Sequence, residues 1–374
     1  MAVRLKDIAR DLNVSVITVS KAIRGKSDIS EATRGRVLTR MKELDYQPNM
    51  MARSLVTGRS FIVGLIVPDL VNPFFAELAK SVGGALRTQS YGLIVASSED
   101  DAAIEQSEIR MMLARGVDAL LIASCQTKIQ GFRAGKGRTT PYVLLDRRIA
   151  DGRSNFVGTD DYAGGRLATE HLIGLGRRRL AYLGGPALSP PADRFRGFSA
   201  VLRDNGITVR AAWVLANADV ESSGDSAGYG MMQELLARRS RPNGVFCHND
   251  VVAIGAMKAT LDAGLRIPRD IAFVGFDNVR YSKFLQIPLT SVDQATGQLG
   301  AAAAGLALDL IAKRASKPKT ILLAPSLVVR QSTAGEMGAE EIVAPTKALS
   351  TYEERDCNGA RDAEACGRVP RLSR

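Results

Sequence analysis

The apolar positions of this chain follow two rhythms, which change over near residue 60. In the first part Leu5, Ile8, Ala9 and Leu12 recur at i, i+3, i+4 and i+7, which predicts one face of a short helix. Asn13 and Val14 make a brief turn, and Ser15 stands where a side-chain oxygen would cap a second helix. In that helix Val19, Ala22 and Ile23 fall on the inner side and Val16, Ile17, Ser20 and Lys21 on the outer. Ser30 is placed to cap a third helix carrying Val37, Leu38, Met41 and Leu44. Two short helices at a tight turn, the second showing small and basic side chains, predict a helix-turn-helix able to enter the DNA major groove. Any small helical bundle could share that spacing, so charge and the residues beyond the third helix must decide between the two.

From Phe61 onward short apolar runs alternate with amphipathic stretches. Phe61–Val67, Gly92–Ala96, Ala119–Ala123 and Tyr142–Asp146 read as strands, with helices at Phe75–Arg87 and Ile104–Arg115. A second series has strands at Leu180–Leu183, Gly244–Cys247 and Ile271–Phe276, with helices at Gly164–Gly174 and Val251–Ala263. Repeated βαβ units mean parallel sheets covered on both faces, with a ligand at the carboxyl ends of the strands. The expected fold class is therefore α/β: an N-terminal three-helix helix-turn-helix headpiece plus two doubly wound parallel-sheet lobes. The expected divisions are a headpiece at 1–47, a hinge helix and linker at 48–60 and a bilobal body at 61–335. The segment 336–374, polar and without apolar periodicity, is expected to be a flexible tail.

Charge sharpens the first part. The chain of 374 residues carries a net charge of +11, and residues 1–60 hold 12 Lys and Arg against 6 Asp and Glu. A basic excess concentrated at one end suits a polyanionic partner. Cys125, Cys247, Cys357 and Cys366 follow no metal-binding spacing and only His171 and His248 could assist them, so no metal or cofactor is expected. A reducing cytoplasm fits this cysteine usage. Arg4, Lys6 and Asp7 interrupt any signal-peptide-like run, and Phe61–Val67 is far shorter than the roughly 18 residues that span a bilayer. For an enzyme the signals are poor. Gly25-Lys26-Ser27 ends like a P-loop, but the position of the leading glycine holds Ser20. No GxSxG elbow occurs, and neither histidine sits in a triad context, so no catalytic residue is expected.

The N-terminal segment resembles the headpiece of the lac-repressor family of bacterial transcription regulators. The resemblance rests on an LKDIA opening, a VSxxTVS second helix, SEATRxRV in the third, and YxPNxxARSLxTGRS after it, running without a gap over residues 3–60. It implies DNA contacts from Leu5, Ser15, Val16, Ile17, Thr18, Ser20 and Lys21, and from Asn49, Ala52 and Leu55 in the hinge. Residues 50–55 are too few for a stable isolated helix, and paired with a dimer mate on DNA they could press Leu55 into the minor groove. The body resembles the sugar-binding lobes of the same family and of periplasmic ribose-type binding proteins. That implies crossings between lobes near 158–163, 288–293 and 323–326. It also implies an effector site of Asn72, Phe74, Phe75, Asp146, Arg147, Arg194, Asn249, Asp277 and Gln294, with a phenyl face against the sugar's C–H surface.

Taken singly these residues have plainer uses: Asn72 precedes a helix, Asn249 is placed as an N-cap, and either phenylalanine could be core. Departures from the family pattern are Ser223 where an aromatic wall is usual, Lys21 in place of Arg and Arg24 in place of Asn. Gly35, inside the third helix, should weaken it by about 1 kcal/mol relative to Ala. The expected protein is a homodimeric repressor of near-palindromic double-stranded operator DNA, controlled by a monosaccharide and without a membrane association. The alternatives are a sugar-binding protein of the cytoplasm and a co-repressor-dependent regulator with a non-sugar effector.

Overall fold

A computed structural model describes residues 3–334 apart from 24, 47–53, 55–56, 127–139, 150–153, 187, 218–219 and 315–316, with backbone alone at 220–223. The chain divides into two compact units, Met1–Phe61 and Ile62–Arg374. The hinge residues Asn49, Ala52 and Leu55, Arg24 and the segment 336–374 lie outside the described residues, as does the side chain of Ser223.

In the N-terminal unit α1 (Leu5–Asp11), α2 (Val16–Ile23) and α3 (Glu31–Glu43) enclose Ile8, Ala9, Val19, Ala22 and Val37, with Leu12, Ile23, Met41 and Leu44 packed around them. Leu38 departs from that inner set and is exposed. The caps form as the side chains allow: Thr18 N–H donates to Ser15 Oγ (3.0 Å) and Thr33 N–H to Ser30 Oγ (3.3 Å). Arg40 ties α3 to the end of α1 through Asp11 (2.6 Å), and Arg36 donates to the Leu12 carbonyl (3.2 Å). So small a core leaves little surplus stability.

The second unit holds two six-stranded sheets. Their strands are β1 (Ile62–Val67), β2 (Gly92–Ser97), β3 (Ala119–Ile122), β4 (Tyr142–Leu145), β5 (Asn155–Thr159), β6 (Leu180–Gly184), β7 (Val214–Ala216), β8 (Gly244–Cys247), β9 (Ala272–Asp277), β10 (Thr290–Asp293), β11 (Thr320–Leu323) and β12 (Ser326–Val328). The orders are β11-β5-β4-β3-β1-β2 and β12-β10-β9-β8-β6-β7, the doubly wound arrangement. Every pairing is parallel except β10 with β12, where the edge strand runs antiparallel. The chain crosses between sheets after β5, after β10 and between β11 and β12. After the second crossing, helix Thr296–Ile311 packs on Pro73–Arg87 in the first lobe, where Ser81 Oγ donates to the Gly297 carbonyl (2.7 Å). Among the described residues no helix is long and apolar enough to cross a membrane.

Glycine sets how closely some helices pack. A Cβ on Gly255 would overlap the Asp225 carbonyl, and one on Gly228 the Val252 carbonyl, so helices Val220–Leu236 and Asp250–Asp262 meet backbone to backbone. Gly35 faces open space instead. We expect Gly35→Ala to stabilise α3 by about 0.5–1 kcal/mol, slowing hydrogen exchange at Val37 severalfold. Gly255→Ala should cost the body at least about 1–3 kcal/mol in urea unfolding. Equal effects of the two substitutions would contradict this packing account.

Candidate functional site

Two surfaces carry chemistry, one on each unit. On the first, α2 presents Val16 (44 % exposed) and Ile17 (67 %), with Ser15 exposed at its start and Thr18, Ser20 and Lys21 half-buried beside them. Ser15 and Thr18 also bond each other (2.8 Å), so both help build the helix start. Lys21 Nζ pairs with Asp28 Oδ2 at 2.5 Å, and that contact lowers the Asp28 pKa. The pair is solvent-exposed and therefore weak, so it yields readily to a phosphate or base edge. Leu5 is half-buried and packs against the three-helix core.

On the second unit one pocket lies at the carboxyl ends of both sheets. It is lined by Asn72, Phe74, Phe75, Asp146, Arg147, Pro190, Pro191, Arg194, His248, Asn249, Asp277 and Gln294, around an empty volume of about 300 Å³. All nine body residues singled out from the sequence are brought together here. Asn72 and Asn249 are also N-caps, accepting from Phe74 N–H (3.1 Å) and Val252 N–H (2.8 Å). Asn249 still offers a ligand its amide N–H₂ group and the second lone pair of Oδ1. The Phe74 and Phe75 rings meet edge to face at 5.0 Å and 68°.

Arg194 is the centre of the electrostatics. Its Nε donates to Asp161 Oδ1 (2.7 Å), its Nη1 donates to the His248 carbonyl (2.6 Å), and Asp277 Oδ1 lies 3.9 Å away. The guanidinium also lies over the Phe276 ring, 3.6 Å from its centroid. Burial works against its charge, but Asp161, Asp277 and Asp146 more than offset this and raise its pKa. The carboxylates feel the same burial in the opposite sense. Asp161 is pushed up to about 7, with Arg194 pulling it back, and Asp277 is also raised well above the usual range. Arg147 is held by Asp100 (2.6 Å). Gln294 Nε2 donates to Asp277 Oδ1 (2.6 Å), while Gln294 Oε1 is buried with no partner among the described residues.

Asp161, Pro190 and Pro191 were missed by sequence reasoning. Asp161 is legible in hindsight as a carboxylate just after β5 at a crossing. Its meeting with Arg194 is not, because it depends on glycine. A Cβ on Gly165 would overlap the Arg194 carbonyl and one on Gly197 the Tyr162 carbonyl, so the two helices touch. Backbone is also unusual here: Asp146 (φ 59°), Asp277 (φ 99°), Asn278 (φ 51°) and Ala295 (φ 52°) all have positive φ. Non-glycine residues so held concentrate at functional sites.

A two-lobed, doubly wound body with a pocket of mixed polar and apolar lining at its strand ends, in a chain that opens with a helix-turn-helix unit, defines a ligand-responsive DNA-binding protein. Residues 4–49 match the bacterial regulatory proteins of the lacI family, and residues 169–333 match the periplasmic binding protein-like domain. The ribose operon repressor of Halalkalibacterium halodurans is 33% identical over 337 residues, 90% of this chain and 98% of that protein. The transcriptional repressor PurR of Mannheimia succiniciproducens is 31% identical over 330 residues, 88% of this chain and 98% of that one. The lac repressor dimer bound to operator and the anti-inducer ONPF matches with a TM-score of 0.76 at 26% identity, covering 89% of this chain and 99% of that one. This chain belongs to the lacI family of bacterial regulatory proteins and is a transcription regulator.

The raised Asp161 carboxyl has a consequence for pH. Between its unfolded value near 4 and about 7 the folded protein holds the extra proton, so this group's contribution to stability falls as pH rises through that window. The stability advantage of wild type over Asp161→Asn should therefore be larger at pH 5 than at pH 8 in paired melting curves. An advantage that grows with pH would mean that Arg194 keeps Asp161 ionised throughout.

Proposed function

We propose that this regulator is a homodimeric repressor whose two headpieces read the half-sites of a near-palindromic operator. A small neutral sugar between the lobes would set its affinity for that operator. Such a protein works in the cytoplasm, where the DNA is, and binds without making or breaking covalent bonds. The observation that carries the effector reading is the matched charge of the pocket. Arg194 is already bonded to Asp161 with Asp277 3.9 Å away, and Arg147 to Asp100, so among the described residues each guanidinium of the pocket already has a carboxyl group beside it, which leaves less call for a phosphate or carboxylate. The buried Gln294 Oε1 calls for a donor, which a hydroxyl supplies, and two phenyl rings suit a sugar's C–H face. A ribose operon repressor among the relatives points the same way.

The effector reading is tested by thermal shift against D-ribose, other monosaccharides, sugar phosphates and cellobiose, where a ligand at 100 times its Kd adds about 2.7 kcal/mol. Stabilisation by sugar phosphates alone would sink the matched-charge argument. Replacing Arg194 with Ala should abolish the response, at about 2–5 kcal/mol of effector binding, while operator affinity without effector stays within twofold. Fluorescence anisotropy on labelled operator reads both, and a melting curve checks that the variant folds.

For the headpiece, Ile17 can meet a thymine methyl and Lys21 can donate to guanine O6 or N7. Ile17→Ala and Lys21→Ala should each relax preference at one or two base pairs per half-site, by about 1–3 kcal/mol. A binding-site selection that returns one logo for wild type and both variants would remove them from base reading.

A further inference from the structure

We propose that Asp250, which lines no part of the pocket, is the positioning residue that holds Asp277 there. The inference rests on the reading of the pocket as an effector site and adds a residue to its machinery. Asp250 is fully buried at the first position of helix Asp250–Asp262, directly after His248 and Asn249, which do line the pocket. Its carboxylate points away from the pocket and into the turn beyond β9. Oδ2 accepts from Val279 N–H (2.9 Å) and Ser282 Oγ (2.6 Å), and Oδ1 accepts from Ser291 Oγ (2.6 Å). Ser291 in turn accepts from Asn278 N–H (3.0 Å), so one carboxylate fixes both residues after Asp277.

That fixing has a task. Asp277 and Asn278 are consecutive non-glycine residues with positive φ, and such backbone persists only when its surroundings over-determine it. The Asp250 carboxylate supplies that determination from inside the lobe. Asn278 adds to it from outside, donating to Asp293 (3.0 Å) and accepting from Arg330 (2.6 Å). With the turn so held, Asp277 Oδ1 stays within reach of Gln294 (2.6 Å) and Arg194 (3.9 Å). Room for the carboxylate is reserved as well: a Cβ on Gly275 would overlap Asp250 Oδ1. Asp250 therefore ties the 248–250 and 277–282 segments into one wall.

The test uses the intact protein as wild type, Asp250→Asn and Ser291→Ala. Hydrogen exchange needs no ligand. Asp250→Asn should speed exchange of the 278–282 amides at least tenfold and leave the 253–262 amides within twofold, and Ser291→Ala should do the same more weakly. Calorimetry with D-ribose should then show affinity lowered at least tenfold in Asp250→Asn, with sugar-free operator affinity unchanged. A merely structural residue would lower melting temperature and operator binding together and leave the D-ribose Kd as it was. If Asp250→Asn loosens helix and turn alike, Ser291→Ala decides by the same two readings. Unchanged exchange across 278–282, or a loosened turn with an unchanged sugar Kd, would overturn the proposal. Should wild type not take D-ribose, the choice of that sugar fails, while the exchange pattern still decides whether Asp250 pins the turn.

Discussion

A guanidinium buried in the second lobe sets the terms for everything around it. Arg194 is 2 % exposed, and an unpaired buried charge costs several kcal/mol even after the protein relaxes. It is tolerable only because Asp161, the His248 carbonyl and the Phe276 ring surround it, with Asp277 close by. These partners come from the crossing after β5, the end of β8 and the end of β9. None can shift alone without stranding a charge. The pocket is thus pre-formed by the electrostatic needs of a single side chain, and the carboxylates a polyol would meet are held in place before any ligand arrives.

The same requirement explains a strand with hardly any apolar residues. In β10, Thr290 and Ser291 are wholly buried, yet both are satisfied. Thr290 Oγ1 donates to the Arg330 carbonyl (3.0 Å) and Ser291 Oγ donates to Asp250 (2.6 Å). This polar seam lies beside β9, with Asp293 in register with Asp277. A purely apolar β10 would pack as well, but it could not hold the turn that carries Asp277. Lobe stability and site geometry therefore draw on the same hydrogen bonds.

What could be read in the sequence divides along that line. The apolar strands β1, β3, β8 and β9 announce themselves as runs, and the headpiece helices as stripes with their serine caps. The strand-end residues Asn72, Asp146, Asn249 and Asp277 were legible through the family resemblance, and they stand where a doubly wound sheet puts its site. The strands β5, β10, β11 and β12 were not, since a residue such as Thr290 is buried on account of partners far along the chain. Helix Ser189–Asp204 was obscured by its opening Ser-Pro-Pro, and Thr296–Ile311 by a run of alanines with little amphipathic contrast. Asp161 went unread for the same reason as β10: its role exists only once Gly165 and Gly197 let two helices touch.

The way the lobes meet fixes what an effector can do. Arg148 N–H donates to Ser189 Oγ (2.8 Å) across the cleft, and Thr159 Oγ1 reaches the Gln294 carbonyl (3.4 Å) beside a crossing. Neutral bonds of this kind contribute about 0.5–1.5 kcal/mol each, too little to commit the lobes to one spacing. A ligand, by contrast, shifts a conformational equilibrium only by its differential affinity for the two states. A molecule seated among Asn72 and Asp146 on one side and Arg194 and Asp277 on the other gains its full set of contacts only when the lobes are together. Only the part of its binding energy that comes from contacts added on closure would then favour the closed state. Because the Asp250 seam keeps the second lobe's wall rigid, that energy has little local compliance in which to dissipate and would act on the relative position of the lobes.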